Sequence, residues 1–183
     1  MDQHYSTVKP RAKKSLGQNF LQAPHICAKI AHLAGEDSPK HLLEVGPGHG
    51  ALTSHLLELE ANELVLLEKD NALAAELARN FSPKARCILT DALTFAWERL
   101  DQSWVVVGNL PYNIASTLIF DLVAKARIKR GVFMVQKEVA ERICARPACK
   151  AYGALSIWVQ SFGRPKIEFS VPPSCFWPKP KVD

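Results

Sequence analysis

The sequence predicts an α/β fold, a doubly wound and mostly parallel sheet of the Rossmann-like kind, and three observations predict it. Short β-branched or leucine-rich runs alternate with amphipathic runs of helical spacing. The first of the central runs opens onto a glycine-rich turn, Gly46-Pro47-Gly48-His49-Gly50. The polar residues Glu68, Asp91 and Asn109 each stand where an apolar run ends. Alternating strands and helices make β-α-β units and hence a parallel sheet. In such sheets ligands sit beyond the carboxyl ends of the strands, where these residues fall.

The elements follow in order. Pro24 to Ala34 places Ile26, Ile30 and Leu33 on one helical face. Leu42 to Val45 is a short apolar strand, and after the glycine turn Ala51 to Leu59 is a helix. Glu63 to Leu67 is a second strand, Asn71 to Asn80 a helix, Ala85 to Leu89 a third strand. Trp104 to Val107 is a fourth strand, as apolar as one buried on both faces should be. It breaks at Gly108-Asn109-Leu110-Pro111, and a helix runs from about Asn113 to Lys125. Arg130 to Val135 is a fifth strand and Lys137 to Ala145 another helix. The last stretch, with Pro165, Pro172, Pro173, Pro178 and Pro180, fits neither a central strand nor a helix interior. Residues 1–20 read as a basic N-terminal tail and 21–183 as the folded domain.

Composition narrows the function. A chain of 183 residues is about one domain, with 48% hydrophobic and 22% charged residues, ordinary for a globular protein. No apolar run approaches the roughly 20 residues that span a bilayer. The polar stretch Met1 to Lys14 lacks the apolar centre of a signal peptide. A cytoplasmic protein with no membrane partner is expected. Five cysteines, Cys27, Cys87, Cys144, Cys149 and Cys175, form no Cys-x-x-Cys pair, against a disulfide framework or zinc knuckle. All six histidines lie between His4 and His55, and no metal is expected. The net charge of +5 is unevenly placed. Lys9, Arg11, Lys13 and Lys14 crowd the N-terminus, and from Val123 to Lys150 eight basic residues face only Glu138 and Glu141. That distribution points to a nucleic acid partner.

The glycine turn points to an adenosine cofactor without choosing it. Gly46, Gly48 and Ala51 satisfy the Gly-x-Gly-x-x-Gly/Ala pattern of NAD enzymes. Gly46, Gly48 and Gly50 satisfy the Gly-x-Gly-x-Gly common where S-adenosylmethionine binds. Glu68, 22 positions after Gly46, suits the ribose hydroxyls of either. Asp91 suits the exocyclic amine of the cofactor's adenine, or equally the N-cap of the next helix.

Gly108-Asn109-Leu110-Pro111-Tyr112 is more specific. The 6-amino group of adenine is a poor nucleophile because its lone pair is delocalised into the ring. Two acceptors for its protons, the Asn109 side-chain carbonyl and the Leu110 backbone carbonyl, favour the pyramidal geometry that exposes the lone pair. Pro111 sets the turn. Tyr112 stacks on a base that must be unpaired or flipped to enter.

Together these segments resemble the ribosomal RNA adenine dimethyltransferase family, most closely its small-subunit (16S) branch. The resemblance runs through Lys14 to Leu21 (KSLGQNFL), Glu44 to Thr53 (EVGPGHGALT), Leu67 to Asp70 and Gly108 to Ser116 (GNLPYNIAS). Met134 to Ile143, Tyr152 to Gln160 and Phe176 to Asp183 (FWPKPKVD) extend it. It implies the fold of the class I S-adenosylmethionine-dependent methyltransferases. Asn19 and Leu21 would lie beside the cofactor, with Gly46, Gly48, Glu68, Asp91 and Asn109 completing its site. Asn109 to Tyr112 would hold the target adenine, and Phe176 would cover its other face. The implied product is 6-dimethyladenine near the 3′ end of the RNA. The implied partner is ribosomal RNA in a small-subunit precursor, met by a monomer whose basic segments track phosphates. Family members continue past this point through further strands and a small helical domain, so the chain is expected to be partial.

Four other readings stand beside this one. Large-subunit (23S) dimethyltransferases, which confer antibiotic resistance, more often carry Asn-Ile-Pro-Tyr. DNA adenine methyltransferases usually carry Asp-Pro-Pro-Tyr. An NAD-dependent oxidoreductase leaves the Asn109 loop unexplained, and a non-catalytic ribosome assembly factor would keep the fold without the turnover.

Overall fold

The computed structural model describes residues 12–13, 16–36, 38–100, 103–126 and 128–180. In chain order these form β1 (Phe20–Leu21), α1 (Pro24–Gly35), β2 (His41–Val45), α2 (Ala51–Leu57), β3 (Glu63–Glu68), α3 (Asn71–Phe81) and β4 (Arg86–Leu89). Then come β5 (Trp104–Asn109), α4 (Ala115–Lys125), β6 (Arg130–Met134), α5 (Lys137–Ile143), α6 (Ala154–Phe162) and β7 (Phe176–Trp177). Two 3-10 turns, Ala92–Thr94 and Trp97–Arg99, fill the link from β4 to β5.

The central sheet is parallel throughout, in the order β4-β3-β2-β5-β6. The chain winds outward from β2 through β3 to β4, then crosses to β5 on the other side. The reversal between β2 and β5 opens a crevice at their carboxyl ends. This is the doubly wound fold expected from the sequence.

Side-chain alternation builds the two cores. Leu42, Leu64, Leu66, Val105 and Val107 face α1 and α2. Leu43, Val45, Val65, Leu67 and Val106 face the other way, against Trp97, Leu118, Leu122 and Val159. Each of these strand residues is almost wholly buried, stabilising the fold by about 1.5–3 kcal/mol per side chain. Trp97 is fully buried and donates its indole N–H to the Ala92 carbonyl at 3.0 Å, so burial leaves no polar group unpaired.

Expected and observed elements differ mainly at their ends. The helix placed from Asn113 begins at Ala115 because Pro111 first closes a turn. Its carbonyl accepts from the N–H groups of Ile114 (3.1 Å) and Ala115 (3.0 Å). α6 had no place among the expected elements. Neither did the antiparallel pairing of β1 with β7, which joins Leu21 to Phe176 and Phe20 to Trp177.

Candidate active site

β2 delivers the chain into the glycine loop, and Gly50 ends it. Gly50 sits at φ +83°, the left-handed region, as N-cap of α2. A Cβ there would also run into the Phe81 ring. Both facts demand glycine. Of the two glycine patterns, only Gly-x-Gly-x-Gly requires it at 50, whereas Ala51 of the rival pattern is simply the first residue of α2.

Glu68 closes β3 beside this loop, 6% exposed. Its Oε2 accepts from the Gly48 N–H at 3.2 Å and its Oε1 from the Asp70 N–H at 2.8 Å. Burial pushes its carboxyl above the ordinary range, and the N–H groups of Asp70, Gly48 and Lys69 pull against that. Each oxygen keeps a lone-pair direction for a further donor. Asp91 follows β4 and takes the capping role foreseen for it: Oδ1 accepts from the Leu93 N–H at 3.0 Å. Its Oδ2 meets the Lys69 ammonium at 2.7 Å, which, against some burial, holds the carboxyl below the usual range.

Across the crevice, Asn109 ends β5. Its Nδ2 donates to the Asn19 carbonyl at 2.9 Å, which leaves Oδ1 as the free acceptor of the amide. Leu110 is buried, and its N–H goes to the Met134 carbonyl at 3.0 Å. Among the described residues no donor takes the Leu110 carbonyl. Tyr112 is 57% exposed, its ring open to a ligand. Phe176 is brought alongside by the register of β7 with Leu21. Phe20 packs edge-on against His49 of the glycine loop, ring centres 4.7 Å apart.

A cavity of about 1350 Å³ joins these features and is lined by Asn19, Leu21, Gly46, Gly48, Glu68, Asp91, Asn109 to Tyr112 and Phe176, whereas Gly50 shapes the turn behind it. The residues present fit S-adenosylmethionine: a glycine loop built without side-chain bulk, and a buried carboxylate with spare acceptor capacity at the end of β3.

Two acids of the site were not foreseen. Glu44, fully buried in β2, accepts from the Thr53 hydroxyl at 2.6 Å. Burial, opposed by Thr53 and reinforced by Glu68, raises its pKa to about 8. A lone acid inside the apolar run Leu42 to Val45 was the available signal. Asp70 caps α3 through the Ala72 N–H at 3.0 Å and also holds Lys13 and Gln18. Burial alone would raise its carboxyl, but the bonds from Lys13, Ala72 and Gln18 hold it below the usual range.

The basic segment is more divided than its composition implies. Arg130 turns inward to the Leu33 carbonyl (2.9 Å) and Glu36, and Lys125 pairs with Asp121 at 3.2 Å. Lys137, Arg142, Arg146 and Lys150 are exposed. Arg127, Lys9, Arg11 and Lys14 lie outside the described residues.

Comparison with known proteins gives the family and the fold. Residues 9–183 match the family described as ribosomal RNA adenine dimethylase. The ribosomal RNA small subunit methyltransferase A of Oleidesulfovibrio alaskensis is 51% identical over 179 residues, 95% of this chain and 64% of that protein. The chain therefore spans somewhat under two thirds of that relative's length. Among solved structures, a dimethyladenosine transferase from Plasmodium falciparum superposes with a TM-score of 0.78 at 32% identity, covering 90% of this chain and 60% of that one. The 23S rRNA methyltransferase ErmE does so with a TM-score of 0.74 at 27% identity, covering 90% and 66%. The fold is that of the class I S-adenosylmethionine-dependent methyltransferases, and the choice that the glycines left open falls to S-adenosylmethionine rather than NAD. The chain belongs to the ribosomal RNA adenine dimethylase family.

Proposed function

We propose that this chain carries the catalytic domain of a small-subunit ribosomal RNA adenine dimethyltransferase, which converts adenines near the 3′ end of 16S RNA to 6-dimethyladenine during ribosome biogenesis. The observation that carries the reading is the pair of acceptors at the end of β5. The Asn19 carbonyl engages Asn109 Nδ2 and so leaves Oδ1 as the acceptor of the amide, and the Leu110 carbonyl beside it is unclaimed among the described residues. The 51% identity to a small-subunit enzyme, against 27% to the 23S enzyme, favours the small-subunit substrate.

Asn19, Leu21, Gly46, Gly48, Glu68, Asp91 and Asn109 would hold S-adenosylmethionine, with Glu68 accepting from its ribose hydroxyls. When bound, the cofactor supplies an electrophilic methyl group on its sulfonium. The protein's own part is positioning. Asn109 Oδ1 and Leu110 O accept the two amino hydrogens of the adenine and localise the nitrogen lone pair. Pro111 fixes the turn that presents both acceptors. Tyr112 and Phe176 bracket the base, which enters unpaired.

The domain proper runs over 21–183, preceded by the basic segment 1–20, and acts as a monomer on the small-subunit precursor in the cytoplasm. No helix among the described residues is long and apolar enough to cross a membrane.

Calorimetric titration with S-adenosylmethionine, with NADH as control, tests the cofactor. Binding of the first alone is expected, weakened roughly tenfold or more by Glu68→Ala. Transfer of labelled methyl to undermethylated small-subunit particles tests the substrate, with Asn109→Ala expected to slow it roughly 100-fold. Cofactor binding with no methyl transfer by the full-length protein would favour an assembly factor over an enzyme.

A further inference from the structure

Asp70 is buried, yet the partners of its carboxylate are Lys13, Gln18 and the Ala72 N–H, none of them in the glycine loop or the Asn109 loop. Its carboxylate gathers the N-terminal segment instead. The Lys13 ammonium lies 2.9 Å from Oδ1 and 2.7 Å from Oδ2, and Gln18 Nε2 donates to Oδ2 at 3.3 Å. Gln18 Oε1 in turn accepts from the Lys13 N–H at 2.8 Å, closing a ring of three residues. From this ring residues 16–21 run along the cavity, and all six line it. A Cβ on Gly17 would lie 3.5 Å from Pro111 Cβ and 3.8 Å from Tyr112. Asn19 orients Asn109, Phe20 packs on His49, and Leu21 pairs with Phe176. At its other end Asp70 donates its own N–H to Glu68 Oε1 at 2.8 Å.

We propose that Asp70 is a positioning residue that latches residues 16–21 as a strap over the site, so that the carboxylate expected on the ribose and the loop expected on the target base are held by one anchor. Lys13 is thereby committed to the protein itself and is not one of the cations offered to RNA phosphate. The pairing is strong for its position because the carboxylate is buried and takes both Lys13 and Gln18. This inference rests on the reading of Glu68 as the ribose ligand, but the strap exists in the free protein and is testable there.

The test uses Asp70→Asn, Lys13→Met and Lys13→Arg. Asparagine keeps an oxygen to cap α3 at Ala72, but its NH2 takes the place of the oxygen that accepts from Gln18, so it removes the charge that holds Lys13 and the Gln18 bond together, whereas Lys13→Met removes the cation alone. Hydrogen-exchange mass spectrometry on the free protein is expected to show faster exchange over residues 16–21 in Asp70→Asn and Lys13→Met, with residues 71–81 unchanged and Lys13→Arg close to the parent. Stopped-flow release of S-adenosylhomocysteine is expected to quicken roughly three- to tenfold in the same two variants, and no further in the double variant. Exchange altered only in residues 71–81, or unaltered everywhere, would overturn the latch and leave Asp70 as a helix cap. Failure of the parent protein to bind S-adenosylhomocysteine would instead strike the functional reading, with the exchange result still deciding the latch.

Discussion

The buried carboxyl of Glu44 ties the stability of the glycine loop to pH. Its pKa of about 8 exceeds the ordinary 4.5, so the folded state holds this proton more tightly than the unfolded chain does. Stability from this residue is full below about pH 4.5 and is lost as pH rises through about 8, a loss on the order of a few kcal/mol. Glu44→Gln keeps an acceptor for Thr53 and removes the titration. The expected result is a melting temperature that falls less between about pH 5 and 8 than in the parent, measured by scanning calorimetry across that range. An equal fall in both proteins would assign the pH dependence elsewhere, Glu68 first. The acid itself was visible in the sequence, but its protonation was not, because burial depends on packing that the strand acquires only between β3 and β5 and beneath α1 and α2. Glu68 and Asn109 were legible for the opposite reason: an isolated polar residue at the end of an apolar strand falls at the crevice wherever the winding is parallel. Asp91 could be read two ways, and the capping bond to Leu93 could be read only from the folded turn.

Among the elements, the turn from β2 into α2 carries the sharpest backbone demand. Gly50→Ala meets two costs at once: about 1–2 kcal/mol for an L side chain in the left-handed region, and displacement of the Phe81 ring that occupies the Cβ position. Chemical denaturation is expected to show a loss of about 2 kcal/mol or more, and calorimetry a weaker cofactor site. A loss confined to the backbone cost would mean that α3 shifts freely at Phe81. This turn was legible because glycine spacing is local. α6 was not, because Ile157, Trp158 and Val159 suit a strand as well as a helix. A local cap and two tertiary bonds decide it: the Ser156 hydroxyl accepts from the N-cap Gly153 N–H at 3.1 Å. Gln160 Nε2 donates to the carbonyls of Ile143 and Ala145, both at 2.9 Å, where α5 ends. The pairing of β1 with β7 was hidden for a related reason, since two residues on each side carry no periodicity.

For the whole molecule, the sheet order sets what can meet what. Crossing from β4 back to β5 brings Asn109 beside the glycine loop, and the β1–β7 pairing brings both ends of the described chain to the same crevice. Local alternation made the parallel sheet legible, whereas the closure of the site by its two termini depends on contacts far apart in sequence. The same closure decides which basic residues can serve RNA. Arg130 and Lys125 are held by acids, but Lys137 and Arg164 are exposed and line the cavity that is expected to receive the base. Each phosphate contact releases counterions, so affinity falls with salt at a slope of roughly 0.7–0.9 per contact. Replacing Lys137 and Arg164 together by alanine is therefore expected to weaken binding of small-subunit RNA and to reduce the salt slope by about one to two, with S-adenosylmethionine affinity unchanged. Filter binding over a salt series measures this. An unchanged slope would place the phosphate path away from the cavity rim, along Arg142, Arg146 and Lys150, and the base would then enter from the α5 side.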